Sequence, residues 1–198
     1  MNSIEIPQGT PEWFQARLGC LTASRANDAC AAETTAAYQN YLWQLVAERE
    51  TKTVEESYVS ADMERGSELE PLARAAYEVH TGTFVTQTGF WLHPEIKWFG
   101  ASPDGLVGDD GLIEIKCPRT STHLRYRSEG KVPAKYKRQM ICQLLCTGRK
   151  WVDFVSFDNR VRESKQLFIV RFEPKGKDIM EMLEGIQKFL QNVEKECE

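Results

Sequence analysis

No apolar run in the sequence approaches the length of a membrane-crossing helix, and Met1 to Gly9 lacks the basic and apolar blocks of a secretory leader. The expectation is a cytoplasmic protein with no membrane partner. Cys-x-x-Cys pairs are also missing. The six cysteines stand at 20, 30, 117, 142, 146 and 197, and the three histidines, at 80, 93 and 123, have no metal-ligand spacing. This excludes a structural zinc site and predicts reduced thiols. Cys142 and Cys146, four apart on a helical stretch, are expected as small core residues. There are no repeats, low-complexity tracts or obvious linkers. Positive charge is not in excess either: 25 Lys and Arg against 29 Asp and Glu leave −4.

What is present fits one domain with a full core: 198 residues, 41% hydrophobic and 27% charged. The distribution of charge matters more than its sum. Residues 119–150 carry nine cations (Arg119, Arg125, Arg127, Lys131, Lys135, Lys137, Arg138, Arg149, Lys150) and one acid, Glu129. Such a band can be a solvated helix surface or can hold a phosphate backbone.

The central motif is Ser102-Pro103-Asp104-Gly105, followed by Glu114-Ile115-Lys116. On a strand, Glu114 and Lys116 point to one face and Ile115 to the other. Asp110-Gly111 is a turn signal that brings Asp104 back beside Glu114 through a hairpin. Two carboxylates then suit Mg²⁺, with Mn²⁺ as a substitute, and the Ile115 carbonyl can complete the shell. Lys116 is placed to steer or accept a proton from water, with a pKa depressed by the cation. This is the equipment of metal-dependent phosphodiester cleavage.

Periodicity gives a coarse map. A short helix capped by Thr22 or Ser24 runs towards Ala31. Helices follow over 38–50, with Tyr38, Tyr41, Leu42, Leu45 and Val46 on one face, and over 64–80, with Leu69, Ala73, Ala76 and Tyr77 inward. Residues 51–60 read as a loop. Strands are expected over 84–92, 98–101, 112–117, 151–157 and 166–172. A helix over 134–146 ends at Gly148, and a last one spans 178–196.

Ala101-Ser102-Pro103-Asp104-Gly105-Leu106 and Leu112-Ile113-Glu114-Ile115-Lys116-Cys117-Pro118 resemble the core motifs of the lambda-exonuclease family, phage-type recombination nucleases of the PD-(D/E)xK fold. Trp13 with Arg17-Leu18-Gly19 and Thr22-Ala23-Ser24 resembles the family's amino-terminal motif. Gly66-x-x-x-Glu70 resembles its acidic helix, and Tyr136-x-x-Gln139 with Thr147-Gly148 its glutamine helix. The matches keep family order over about residues 11–150.

The resemblance implies an α/β (α+β) single-domain nuclease over 1–198, with a mixed central sheet flanked by helices. Its parts are an amino-terminal helical part (10–60), a nuclease core (62–173) and a carboxy-terminal helix (176–196). It implies that Glu70 contacts the metal or its water, Glu68 being the rival, and that Gln139 fixes the attacking water or the scissile phosphate. Tyr136 is expected to pack. Arg17, Ser24 and Ser102 are implied to bind a terminal 5′-phosphate, and Met63 to wedge between base pairs at a duplex end. The implied activity is Mg²⁺-dependent 5′→3′ digestion of double-stranded DNA ends. It releases mononucleotides and leaves a 3′ tail for a phage-type annealing protein, within a homotrimeric ring. The rivals are an endonuclease of the same fold and a catalytically silent DNA-end-binding module.

Overall fold

The computed structural model describes residues 3–4, 6–54 and 61–198, without the side chains of Ser3, Ile4, Asp62 and Met63. The role expected of Met63 therefore falls outside the described residues. In order the elements are β1 (Ser3–Ile4), α1 (Pro11–Ala16), β2 (Leu21–Thr22), a 3-10 turn (Ala23–Arg25), α2 (Ala26–Ala29), α3 (Ala36–Thr51) and α4 (Ala61–Thr81). Next come β3 (Val85–Thr86), β4 (Phe90–Leu92), β5 (Phe99–Ala101), β6 (Gly105–Val107) and β7 (Gly111–Lys116). The chain ends with α5 (Thr120–Glu129), α6 (Ala134–Thr147), β8 (Trp151–Phe157), α7 (Glu163–Gln166), β9 (Leu167–Phe172) and α8 (Gly176–Glu196).

The main sheet has the order β3-β6-β7-β8-β9 and is mixed. β7 pairs in parallel with β8, and every other neighbour is antiparallel. The parallel pair needs a crossover, and α5 and α6 supply it. β7 alternates between two cores. Leu112 joins Phe154, Tyr126 and Met140 on the side of α6 and α8, while Ile113 and Ile115 meet Leu69, Ala73 and Tyr77 of α4 on the other. A smaller sheet, β1-β4-β5-β2, lies beside the first core. α8 docks there through Met182, Ile186, Phe189, Leu190 and Val193, each worth roughly 1.5–3 kcal/mol when fully buried.

Several expectations change in detail. The strand expected over 84–92 is two: β3 joins β6 in the main sheet, and β4 joins β5 in the small one. Local propensity is uniform across 84–92, so the division is made by the partners. Phe84 is left 85% exposed. Trp98 lies outside β5 at φ 60, its ring under the Arg49 guanidinium. The short helix towards Ala31 is split into a 3-10 turn and α2, and Thr22 makes no side-chain cap bond. Of the loop expected over 51–60, Thr51 closes α3, and 55–60 lie outside the described residues. α1, α5 and α7 had no expected counterpart. Thr10 caps α1 and Pro11 opens it, a local signal. α5 is too polar for periodicity to reveal.

Candidate active site

Asp104 stands at the entry to β6. Gly105 follows it because nothing larger fits: a Cβ there would lie 2.2 Å from Val85 Cγ1 and 3.1 Å from Ile113 Cγ2. The β6–β7 ladder ends at Gly105↔Ile113, so β7 runs on beyond its neighbour. Asp104 takes over that edge, its Oδ2 accepting from the Ile115 N–H at 2.6 Å. A strand residue turns its N–H and C=O to the same side. The Ile115 carbonyl therefore faces Asp104 too. Arg149 fastens the hairpin by donating to the carbonyls of Gly108 and Gly111 at 2.7 and 2.8 Å.

Glu114 is 0% exposed. β7 is buried on both faces from Gly111 to Ile115. Gln139 Nε2 donates to Glu114 Oε1 at 2.7 Å, and Gln143 Nε2 donates to Oε2 at 2.5 Å. Lys116 Nζ pairs with Oε1. These partners offset the cost of a buried carboxylate. Tyr136, one turn before Gln139, packs as expected, its ring stacked on Phe154 at 5.4 Å.

Desolvation, and then the charge of Glu114, push the Asp104 carboxyl well above the usual carboxylate range. Lys116 opposes the shift and Glu70 adds to it. Burial pulls the Lys116 ammonium down, but Glu114 and Asp104 outweigh burial and the net direction is up. The depression expected of Lys116 supposed a cation beside it, and the chain's own groups produce the reverse.

Glu70, on α4, lines the same cleft as Asp104 and its charge acts on that carboxyl, whereas Glu68 is exposed. Arg74, one turn on, holds Glu70 Oε1 at 2.6 Å. Acids crowded enough to drive one of their number towards protonation suit a hard divalent cation. Asp104, Glu114 and the Ile115 carbonyl are oxygen donors of the kind such an ion takes, and Glu70 lines the same cleft as Asp104. Among the described residues no three Asp, Glu, His or Cys side chains gather as a metal cage. Mg²⁺ is commonly bound by one or two carboxylates and keeps several waters, so a cage of three side chains is not required.

Arg17, Ser24, Glu70, Arg74 and Asp104 line one open cleft of about 1270 Å³. A smaller cavity of about 460 Å³ between α2, α6 and α8 holds none of these five. The Arg17 guanidinium lies 3.7 Å over the Trp13 ring, and its Nε has no acceptor among the described residues. Desolvation lowers its pKa from the usual arginine value, with Tyr41, Cys20 and Glu48 opposing the shift. Trp13 Nε1 donates to Ser102 Oγ at 3.1 Å, which ties Ser102 to the same corner. Ser24 is exposed, 3.3 Å from Thr22 Oγ1. The turn below Arg17 is clamped by α3: Gly19 N–H donates to Glu48 at 2.9 Å, and Arg49 Nε donates to the Gly19 carbonyl at 3.0 Å. Gly19 sits at φ 67, and a Cβ there would meet Arg49 Cγ at 2.8 Å.

The basic band is only partly a surface. Arg149 and Arg127 bond backbone carbonyls, and Lys150 pairs with Asp110 at 2.9 Å. Lys131, Lys135, Lys137 and Arg138 stay exposed. The sequence reading missed Gln143, Arg74 and the Glu48–Arg49 clamp. The first two had a signal, since each lies four residues after a site residue, one helical turn along the same face.

Residues 12–150 match the model of the YqaJ-like viral recombinase domain. The chain belongs to that family. The crystal structure of the alkaline exonuclease LHK-Exo from Laribacter hongkongensis is 48% identical, with a TM-score of 0.89 over 95% of this chain and 94% of that one. The same enzyme in complex with dAMP is 49% identical, with a TM-score of 0.90 over 95% and 94%. A phage-related exonuclease from Haemophilus somnus, 13% identical, superposes with a TM-score of 0.69 over 89% of this chain and 94% of that one, which speaks for the fold alone. No curated protein sequence matches. The YqaJ-like chain thus has the mixed α/β architecture of phage-type PD-(D/E)xK exonucleases, as the motifs around Asp104 and Glu114 implied. No helix among its described residues is long and apolar enough to cross a membrane.

Proposed function

We propose that this YqaJ-like chain is a divalent-metal-dependent 5′→3′ exonuclease acting on double-stranded DNA ends. It releases mononucleotides and leaves a 3′ tail for a phage-type annealing protein. One observation carries the reading: Asp104 and the buried, amide-held Glu114 meet on one hairpin, beside a cleft that also holds Arg17 and Ser24. Identity of 48% to an alkaline exonuclease supports the reaction class.

Asp104, Glu114, the Ile115 carbonyl and Glu70 are the residues that would hold Mg²⁺ or Mn²⁺. Such an ion, when bound, polarises the scissile phosphate and lowers the pKa of its water. The other work falls to the chain. Lys116, already on Glu114 Oε1, orients the water, and the Gln139 amide on the same oxygen limits where that water can sit. Arg17, stacked on Trp13 with its Nε unpaired among the described residues, offers its fork to the terminal phosphate, with Ser24 nearby and Ser102 braced by the Trp13 indole. Exposed Lys135, Lys137 and Arg138 supply sequence-independent attraction to DNA. A homotrimeric ring, the assembly implied by the family, would keep the duplex threaded during digestion.

The test is a linear duplex labelled at one 5′ end, with and without Mg²⁺, beside a covalently closed circle. The expected result is metal-dependent release of the label as a mononucleotide, with the circle intact. A cut circle would instead identify the endonuclease rival. DNA binding with no cleavage in Mg²⁺ would identify the silent module.

A further inference from the structure

We propose that Gln143 is a positioning residue: its amide holds the Glu114 carboxylate in the orientation in which that group serves the divalent cation. The inference rests on the reading of Asp104 and Glu114 as cation ligands.

Gln143 lies in α6 among buried Met140, Cys142, Leu144 and Cys146, and is itself 0% exposed. An apolar side chain is the expected occupant of such a place, because a buried amide costs stability unless it is fully bonded. Gln143 is not fully bonded. Its Nε2 donates to Glu114 Oε2 at 2.5 Å, while its own Oε1 is buried with no partner among the described residues. The core thus tolerates an orphaned acceptor in order to put one donor on one carboxylate oxygen. Misfits of this kind concentrate at functional sites.

The two oxygens of Glu114 are held unequally. Oε1 has Gln139 and Lys116; Oε2 has Gln143. The terminal torsion of a glutamate is soft, with broad, roughly two-fold preferences. Steric packing alone is therefore a weak restraint on the carboxylate plane, and a hydrogen bond to each oxygen is a strong one. Gln139 is half-exposed and can reach water or substrate; Gln143 cannot. Its influence on the reaction must pass through Glu114. Loss of a partner that orients a metal ligand typically costs about 10–100-fold in metal affinity or activity.

The experiment compares wild type with Gln143→Met, which keeps the length and volume of the side chain and removes the donor. Mn²⁺ binding is measured without DNA, by the loss of the free-ion electron paramagnetic resonance signal, and hydrolysis is measured separately. The expected result is a folded variant whose Kd for Mn²⁺ rises about 10-fold or more. Its kcat should fall at limiting metal and recover in part at high metal, with KM for DNA ends unchanged. A folded variant that binds Mn²⁺ as wild type does overturns the inference, whatever its activity, and leaves the reading of Asp104 and Glu114 intact. Wild type that binds no Mn²⁺ overturns that reading and the inference with it. Should Gln143→Met not fold, Gln143→Asn carries the same two results: it keeps a buried amide and draws the donor back by one methylene.

Discussion

Removing the Lys116 ammonium separates its electrostatic and chemical roles. Lys116→Ala takes the ammonium off Glu114 Oε1 and leaves a fully buried carboxylate held, among the described residues, by two neutral amides. Breaking a buried ion pair from one side costs about 3–5 kcal/mol. The low end applies, because Gln139 and Gln143 still bond Glu114 and the Lys116 side chain is 28% exposed. A loss of about 3 kcal/mol in a chain of this size lowers Tm by roughly 6–12 °C. A divalent cation should restore much of this, since it replaces the missing positive charge beside Asp104 and Glu114. The assay is thermal unfolding of wild type and variant with and without Mn²⁺, alongside hydrolysis and filter binding of a linear duplex. The expected outcome is a lower Tm without metal, a larger gain on adding metal than wild type shows, no hydrolysis, and near-normal DNA binding. Surviving hydrolysis would refute the role of Lys116, and an unchanged Tm without metal would refute the account of Lys116 as a partner that offsets the burial of Glu114.

Arg17→Ala should slow digestion of 5′-phosphorylated ends far more than of 5′-hydroxyl ends; equal slowing in a paired time course counts against the phosphate pocket. Gly105→Ala forces a methyl to 2.2 Å from Val85 Cγ1 and should destabilise by about 1–3 kcal/mol in urea unfolding, with activity falling as the Asp104 edge shifts. Asp158, 0% exposed, is acted on by burial, which raises its pKa, but bonds from Arg160 and Thr120 outweigh that and hold it below the usual aspartate range. A folded-state pKa lowered in this way contributes stability that is complete above about pH 4 and lost as pH falls further. Asp158→Asn should therefore lower Tm at pH 7 and flatten the decline between pH 4 and pH 2, and a decline as steep as in wild type would refute the assignment.

The motifs around residues 102–118 carried the hairpin, the acid pair and the lysine in plain view. Strand alternation already placed Glu114 and Lys116 on one face. Helical periodicity found α3, α4, α6 and α8, since each lays a regular apolar stripe on a core. It missed α5, whose face is polar, and it joined β3 to β4, because nothing local to 84–92 says that its two ends serve different sheets.

The sequence by itself determined the chemical groups, their order and the strand and turn that bring Asp104 near Glu114, because those depend on spacing and backbone geometry over a dozen residues. Only the tertiary structure decided that Glu114 is buried with an amide on each oxygen, that Glu70 lines the cleft with Asp104 while Glu68 is exposed, and that Arg17 lies over Trp13 with its Nε unbonded among the described residues. The reason is physical. Burial and charge crowding arise where α1, α4 and α6 converge on the ends of β6 and β7, and those segments lie too far apart in the chain for local pattern to record their meeting.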